Sequence, residues 1–330
     1  MKTRPFGRDS VQVGEVGIGT WQLGAEWGDV DDETAAQVLK TAFDNGVTFY
    51  DTADIYGGGK SESRIGKFLS TLGPRKKDLF IATKLGRSST PGWPQNFSLD
   101  SFRKFTEGSL QRLGVEAIDL TQTHCLPHDR VRPAEMFGWL KTLQSEGKIK
   151  RFGASVETMQ EANECLDVDG VASLQIIFNV FRQKPINALF DRAKDKGVAI
   201  IVRLPLASGL LSGKFTAQSQ FPADDHRHFN RDGQKFSVGE TFAGLPLDKG
   251  VSLVNRMRSF IPQGTTPTQF ALRWILDFDA VTVVIPGAKS PQQVIENCSA
   301  SELPSLKDDL HDDIADFYAA EVGPVVRGSQ

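Results

Sequence analysis

The stretch GVTFYDTADIYGGGKSES, residues 46–63, decides how this chain folds. Gly46 closes an amphipathic segment, and the apolar run Val47–Tyr50 stops abruptly at Asp51. Tyr56 and three glycines follow, and from Ser61 the sequence reads as a helix, with Ser61 its candidate cap. Helix stop, short buried strand, polar loop and helix start make one β/α unit.

The glycines also invite a phosphate-loop reading, which fails. The G-x-x-x-x-G-K-[ST] pattern needs glycine at position 54, where Asp54 stands. GEVGIG, near the start of the chain, lacks the G-x-G-x-x-G spacing as well. The loop glycines are better explained as a tight turn that aims Tyr56 inward.

Working outward, the same grammar recurs. Apolar or β-branched runs fall at residues 16–21, 47–51, 79–84, 117–124, 151–156, 173–179, 198–205 and 281–287, with helix-like stretches between them. In DDETAAQVLKTAFDNG, Ala35, Val38, Leu39, Ala42 and Phe43 share one helical face. Gly46, Gly114, Gly147 and Gly197 each close such a stretch before the next strand. Eight strands alternating with helices predict an α/β fold, a (β/α)8 TIM barrel, rather than a doubly wound sheet. No Pro/Ser/Gly-rich linker separates the first four units from the last four, so we expect a single domain over residues 1–330. Two pieces stand outside the repeat. RPFGRDSVQV reads as an N-terminal hairpin with its turn at residues 7–10, suited to plugging the barrel floor. The polar, Gly-dotted segment 216–247 is a long loop after the seventh strand, at the barrel mouth.

Composition narrows the function. Of 330 residues, 39% are hydrophobic and 24% charged, an ordinary globular balance. A formal net charge of −3 without a basic stripe argues against nucleic acid. No apolar segment reaches the ~18 residues of a membrane span, and the N-terminus has no signal-peptide core, so a cytoplasmic protein without membrane partners is expected. Cys125, Cys165 and Cys298 are too scattered for a disulfide framework or a zinc site. DDHRH (224–228) clusters two histidines with two aspartates, but on a polar loop that fixes no ligand geometry; we expect no metal.

In a (β/α)8 barrel, the C-terminal strand ends form the active face. Those ends carry Trp21, Asp51, Lys84, His124, Ser155, Gln175, Arg203 and Gly287. The second to fourth strands are neighbours ~5 Å apart, so Asp51, Lys84 and His124 can converge, with Tyr56 reaching the same point from its loop. A phenol with a pKa near ~10 is a poor acid at neutral pH, but a nearby ammonium favours phenolate and lowers that value. Lys84 supplies the ammonium, Asp51 its counter-charge, and His124 a hydrogen bond to a carbonyl oxygen.

These residues resemble the aldo-keto reductases over nearly the whole chain. The resemblance rests on GIGTWQLG, GVTFYDTADIYGGGKSE, IATK, SLQRLGVEAIDLTQTH, GKIKRFGAS, SLQIIFN, PLASGLLSGKF and IPGAKSPQQVIEN. It implies a barrel that interconverts small-molecule aldehydes or ketones and alcohols with NADPH, NADH being the less favoured cofactor, and without metal. It places the catalytic tetrad on Asp51, Tyr56, Lys84 and His124, with Tyr56 as general acid. Ser155 and Gln175 would hold the nicotinamide carboxamide, and Pro205, Leu206, Gly209, Leu211 and Lys214 would run along the pyrophosphate. Gly19, Thr20, Trp21, Asp51, Arg203, Ile285 and Gly287 would add cofactor contacts, with Lys289, Gln293 and Asn297 at the adenosine end. A helix start beside Lys289 suits a 2′-phosphate. Trp21, Trp27 and Trp93 could wall the substrate pocket. Many relatives carry an aromatic ring where this chain has Arg203, and asparagine where it has Val156. A guanidinium there should disfavour the cationic oxidised ring, unless a carboxylate such as Asp224, Asp225 or Glu240 pairs with it. The alternative function is a redox-sensing regulatory subunit that keeps the fold and the cofactor but turns over slowly.

Overall fold

The computed structural model describes the chain apart from residues 10, 25, 26, 29, 91, 93, 127, 129–131 and 329–330. Two short antiparallel strands, β1 (Thr3–Pro5) and β2 (Gln12–Gly14), form the N-terminal hairpin. Eight parallel strands follow: β3 (Ile18–Gly19), β4 (Phe49–Asp51), β5 (Phe80–Leu85), β6 (Leu120–His124), β7 (Phe152–Ser155), β8 (Ser173–Ile177), β9 (Ala199–Arg203) and β10 (Val281–Val284). Each pairs with its neighbours in sequence order. The first and last meet through the bridges Val16–Val284 and Gly19–Gly287 and the bond from Gly17 N–H to Val284 O at 2.8 Å, which close the cylinder.

The helices that return the chain are α1 (Asp32–Asp44), α2 (Lys60–Thr71), α3 (Leu99–Leu113), α4 (Pro133–Ser145) and α5 (Met159–Leu166), then the short α6 (Pro185–Ala188) and α7 (Phe190–Asp195). After β9 come α8 (His226–Phe229), α9 (Leu247–Met257) and α10 (Pro267–Leu276), and after β10, α11 (Pro291–Ser299) and α12 (Asp308–Phe317). Local chemistry sets their ends. Asp31 caps α1 by accepting from Thr34 N–H at 2.7 Å, and Thr158–Glu161 and Thr266–Gln269 close reciprocal capping boxes on α5 and α10. Gly46, Gly114, Gly147 and Gly197 sit at φ of 81°, 65°, 73° and 57°, the left-handed exit that glycine takes without steric penalty.

The core has two layers. Apolar outward faces of the strands pack against the helices, while a separate cluster fills the bottom of the cylinder: Phe6 and Val13 from the hairpin against Phe49, Phe80, Ala82, Leu120, Ala199, Ile201, Val283 and Ile285. The hairpin is thus the expected floor plug, and polar residues are left for the opposite end.

Ser61 departs from expectation. Gly59, not Ser61, holds the N-cap position of α2, and among the described residues no side-chain cap hydrogen bond is made there. Ser61 is fully buried, its hydroxyl 2.7 Å from Thr20 Oγ1 and 2.8 Å from Thr52 Oγ1. It ties the loop after β3 to the loop after β4, so three polar groups satisfy one another where a cap would have satisfied one.

Candidate active site

The register brings the strand ends to one level. Gly19 pairs with Asp51, His124 with Ser155, and Ser155 with Gln175. Asp51 and Lys84 form a buried ion pair, and Lys84 Nζ also donates to Thr52 O at 2.9 Å. The other Asp51 oxygen accepts from Gln175 Nε2 at 2.7 Å, a link between opposite sides of the barrel. Lys84 Nζ lies 3.4 Å from Tyr56 Oη. The Tyr56 ring stacks on Trp21 at 5.9 Å and meets the His124 ring edge-on at 5.8 Å. Three consecutive left-handed glycines, Gly57, Gly58 and Gly59 at φ of 61°, 63° and 94°, turn the loop so that Tyr56 points inward.

Burial, more than the neighbouring ammonium, governs the titration of this group. Desolvation and the charges of Asp51 and Glu240 push the Tyr56 phenol well above its ordinary value, against the opposing pull of Arg203 and Arg87. The sequence reading expected Lys84 to make it acidic. That reading counted the amine but not the depth of the site or the carboxylates around it. Burial likewise lowers Lys84, against the attraction of Asp51, and raises Asp51, against the attraction of Lys84. His124 is driven well below its usual value by burial and by the positive charges of Arg87, Lys84 and Arg203, so its imidazole is neutral. Its Nδ1 is buried, with no hydrogen-bond partner among the described residues.

Two cavities meet at Tyr56, His124, Trp21 and Glu240. The first, about 350 Å³, is a trench running from Asp51 and His124 past Ser155, Gln175 and Arg203 to Lys289, Gln293 and Asn297. Gly19, Trp21, Trp27, Pro205, Leu206, Gly209, Lys214, Ile285 and Gly287 also line it. Thr20 and Leu211 do not: Thr20 is buried in the Ser61 network, and Leu211 belongs to the core. Lys84 stands behind the trench wall. The second cavity, about 330 Å³, opens beyond Tyr56 and His124 between Trp21, Phe236, Arg87 and Glu157. Trp93 lies outside the described residues.

The trench suits a dinucleotide in shape and donors. At one end Ser155 and Gln175 present polar groups. At the other, α11 begins at Pro291 behind the Ser290 cap, with Lys289 N–H held by Gln293 Oε1 at 2.7 Å. The chain between follows a strained path, with Leu204, Ala207 and Ser208 at φ of 51°, 48° and 58°, and a Cβ on Gly209 would come within 3.2 Å of Phe215.

Sequence reasoning missed the inner face of segment 216–247. From it Arg227 and Glu240 line the trench beside Phe215, which just precedes it, and Asp225, His226, Asn230, Glu240 and Thr241 are buried. Asp225 is paired twice with Arg227, at 2.9 and 2.6 Å, while the His226 ring packs on Trp21 and Trp27 at 4.8 and 4.3 Å. Hydrophobic patterning gives no signal for such residues; the density of charge in DDHRH was the trace available. Arg203 Nη1 lies 3.4 Å from Glu240 Oε1, so the guanidinium beside the trench is balanced by one of the carboxylates the sequence offered.

Comparison with known proteins agrees with this architecture. Residues 15–319 match the model of the Aldo/keto reductase family. The chain is 29% identical to aldo-keto reductase yakc [NADP(+)] of Schizosaccharomyces pombe, over 90% of this chain and 86% of that one. It is 28% identical to the NADH-specific methylglyoxal reductase of Escherichia coli, covering 91% and 93%. Among solved structures, the glycerol dehydrogenase AKR11B4 of Gluconobacter oxydans superposes with a TM-score of 0.77 at 29% identity, covering 97% and 95%. The chain therefore belongs to the aldo/keto reductase family and is an NAD(P)H-dependent oxidoreductase acting on carbonyl or CH–OH groups.

Proposed function

We propose that the chain reduces an aldehyde or ketone with NADPH, and that Tyr56 is the general acid. The observation that carries this reading is the Tyr56–Lys84–Asp51 chain ending at the junction of the two cavities, with the phenolic oxygen 3.4 Å from Lys84 Nζ. The bound nicotinamide would supply the hydride. Ser155 and Gln175 would orient its carboxamide, and Lys289 with the start of α11 would receive a 2′-phosphate. Neutral His124 can donate one hydrogen bond to the substrate oxygen, while the Tyr56 hydroxyl gives up its proton as that oxygen gains charge. A phenol held protonated by burial is always loaded for this step. Lys84 then stabilises the phenolate that appears, and Asp51 keeps Lys84 in place.

Tyr56→Phe tests the assignment. Removal of the hydroxyl should lower kcat for aldehyde reduction by about 10³-fold or more, within the range general acids supply, while the NADPH dissociation constant changes little. A loss below tenfold would put the proton donor elsewhere. Cofactor choice is tested by titrating wild type and Lys289→Met with both nucleotides. The substitution should weaken NADPH by about tenfold and NADH much less, as expected for the loss of one charge-assisted contact.

A further inference from the structure

The second cavity carries an unusual amount of charge for a pocket that faces a carbonyl. Arg87 Nη2 lies 3.2 Å from Glu157 Oε1 and 3.5 Å from Glu240 Oε1, and Glu240 also faces Arg203. Glu240 is 4% exposed, and among the described residues its Oε1 has ion pairs but no hydrogen bond of good geometry. The side chains of Arg87 and Glu157, at 25% and 27% exposure, still reach the cavity. Among the described residues, Arg87 donates only through Nη2, which leaves Nε and Nη1 without a protein acceptor. Opposite stand the rings of Trp21 and Phe236, 6.1 Å apart.

This wall discriminates between substrate classes. An alkyl or aryl aldehyde would strip water from Arg87 and Glu157 and return no hydrogen bond, which is costly for charged groups. An anionic aldehyde would find each guanidinium already faced by a carboxylate and would pack against Glu157 and Glu240. Exposed Lys235 at the rim does not reverse that balance, because it stays solvated. A hydroxyl group meets neither penalty, since its oxygen accepts from Arg87 while its proton goes to a carboxylate oxygen.

We propose that Arg87 and Glu157 are specificity-determining residues that select a neutral hydroxylated carbonyl, with a hydroxyl on the carbon next to the reacting one, over its deoxy analogue. This rests on the carbonyl-reductase reading above. The cavity of about 330 Å³ fits a chain of a few carbons, with the aromatic pair covering its C–H face.

The test compares D-glyceraldehyde with propanal, which has the same carbon count and no hydroxyls, and succinic semialdehyde with butanal. Steady-state kinetics are run with NADPH on wild type, Glu157→Gln and Arg87→Gln, alongside NADPH titration and thermal melting of each variant. Because hydration of the aldehydes is the same for every variant, and rates are referred to the free aldehyde, the change in the glyceraldehyde/propanal ratio of kcat/KM between wild type and variant isolates the protein's contribution. Wild type should favour glyceraldehyde by about tenfold or more, as sites built to bond a hydroxyl do. Both substitutions should bring the ratio near unity, mainly through KM for glyceraldehyde. Equal use of both aldehydes by wild type, a ratio untouched in both variants, or preference for the semialdehyde over butanal would each overturn the proposal. A ratio untouched while melting falls would assign the quartet to holding segment 216–247. Failure to reduce any aldehyde while NADPH binds would instead remove the underlying reductase reading, and this inference with it.

Discussion

At the residue scale, the Asp51–Lys84 pair places two buried charges at the proposed catalytic site. Both are buried, and each is solvated by the other and by fixed partners, Gln175 for Asp51 and Thr52 O for Lys84. Asp51→Asn strands an ammonium in the barrel and should cost about 3–5 kcal/mol in urea unfolding, the range for breaking a buried pair. The double change Asp51→Asn, Lys84→Met removes the stranded charge, so it should recover most of that stability and leave activity abolished. A double variant no more stable than the single would mean that the pair is a structural requirement. Two titrations bear on pH. Tyr56 is raised and His124 lowered, so neither changes state between pH 6 and 9, and kcat for reduction should be flat there on their account. Asp54 is different: burial and the charge of Glu62 push its carboxyl up to about 7. The folded chain thus holds a proton that the unfolded chain releases near its ordinary value of 3.8, and Asp54 destabilises the fold progressively as pH rises from about 4 through 7. Melting temperature should drop between pH 5.5 and 8 in wild type and drop less in Asp54→Asn. A step in kcat near pH 7 that persisted in Asp54→Asn would place Tyr56 or His124 in that range and contradict the burial argument.

At the scale of elements, what the sequence announces and what it conceals divide along the barrel axis. Buried parallel strands read as short apolar runs, and left-handed glycines mark where each helix must stop, so the β/α alternation and the strand-end residues were legible. Segment 216–247 was legible in its position after β9 and in the carboxylates it offers Arg203, but not in its packing. Its buried polar residues include Asp225, His226, Asn230, Glu240 and Thr241, and polar residues satisfied by tertiary partners look in sequence like solvated ones. Ser61 was misread for the same reason: a serine at a helix start suits a cap or a buried network equally, and only the proximity of Thr20 and Thr52 decides. Asn230 is the pivot of the segment. Its Oδ1 accepts from Lys235 and Phe236 N–H at 2.9 and 3.0 Å, and its Nδ2 donates to Thr241 Oγ1 at 3.1 Å. Asn230→Ala leaves those backbone donors without partners, at a local cost of about 1–3 kcal/mol. Limited proteolysis within 216–247 should therefore quicken about tenfold, while the global urea midpoint moves little. Unchanged cleavage would show that the aromatic contacts of His226 hold the segment without Asn230.

For the whole molecule, the separation of floor from mouth makes stability and turnover independently adjustable. The floor is held by the hairpin. Phe6, 1% exposed, stacks on Phe49 at 6.0 Å and packs tilted against Phe80 at 4.6 Å, and Arg4 reaches from β1 to Glu15 at 2.9 Å and to Val281 O at 2.6 Å. Tyr56 and its partners occupy the other rim, with the inward residues of β4, β5 and β9 between. Packed cores transmit a deletion over short range because their side chains relax only partly around the void. Phe6→Ala should accordingly cost about 3–5 kcal/mol of unfolding free energy, the range for a large aromatic truncated in a core. Its kcat/KM, measured well below the new melting temperature, should remain within about threefold of wild type, because distant sites with no shared partners act additively. A tenfold loss of kcat/KM at full folding would mean that the eight strands shift as one body when the plug is loosened. In that case the geometry around Tyr56 would be set by the closure of the whole cylinder, rather than by the local pairs at its rim.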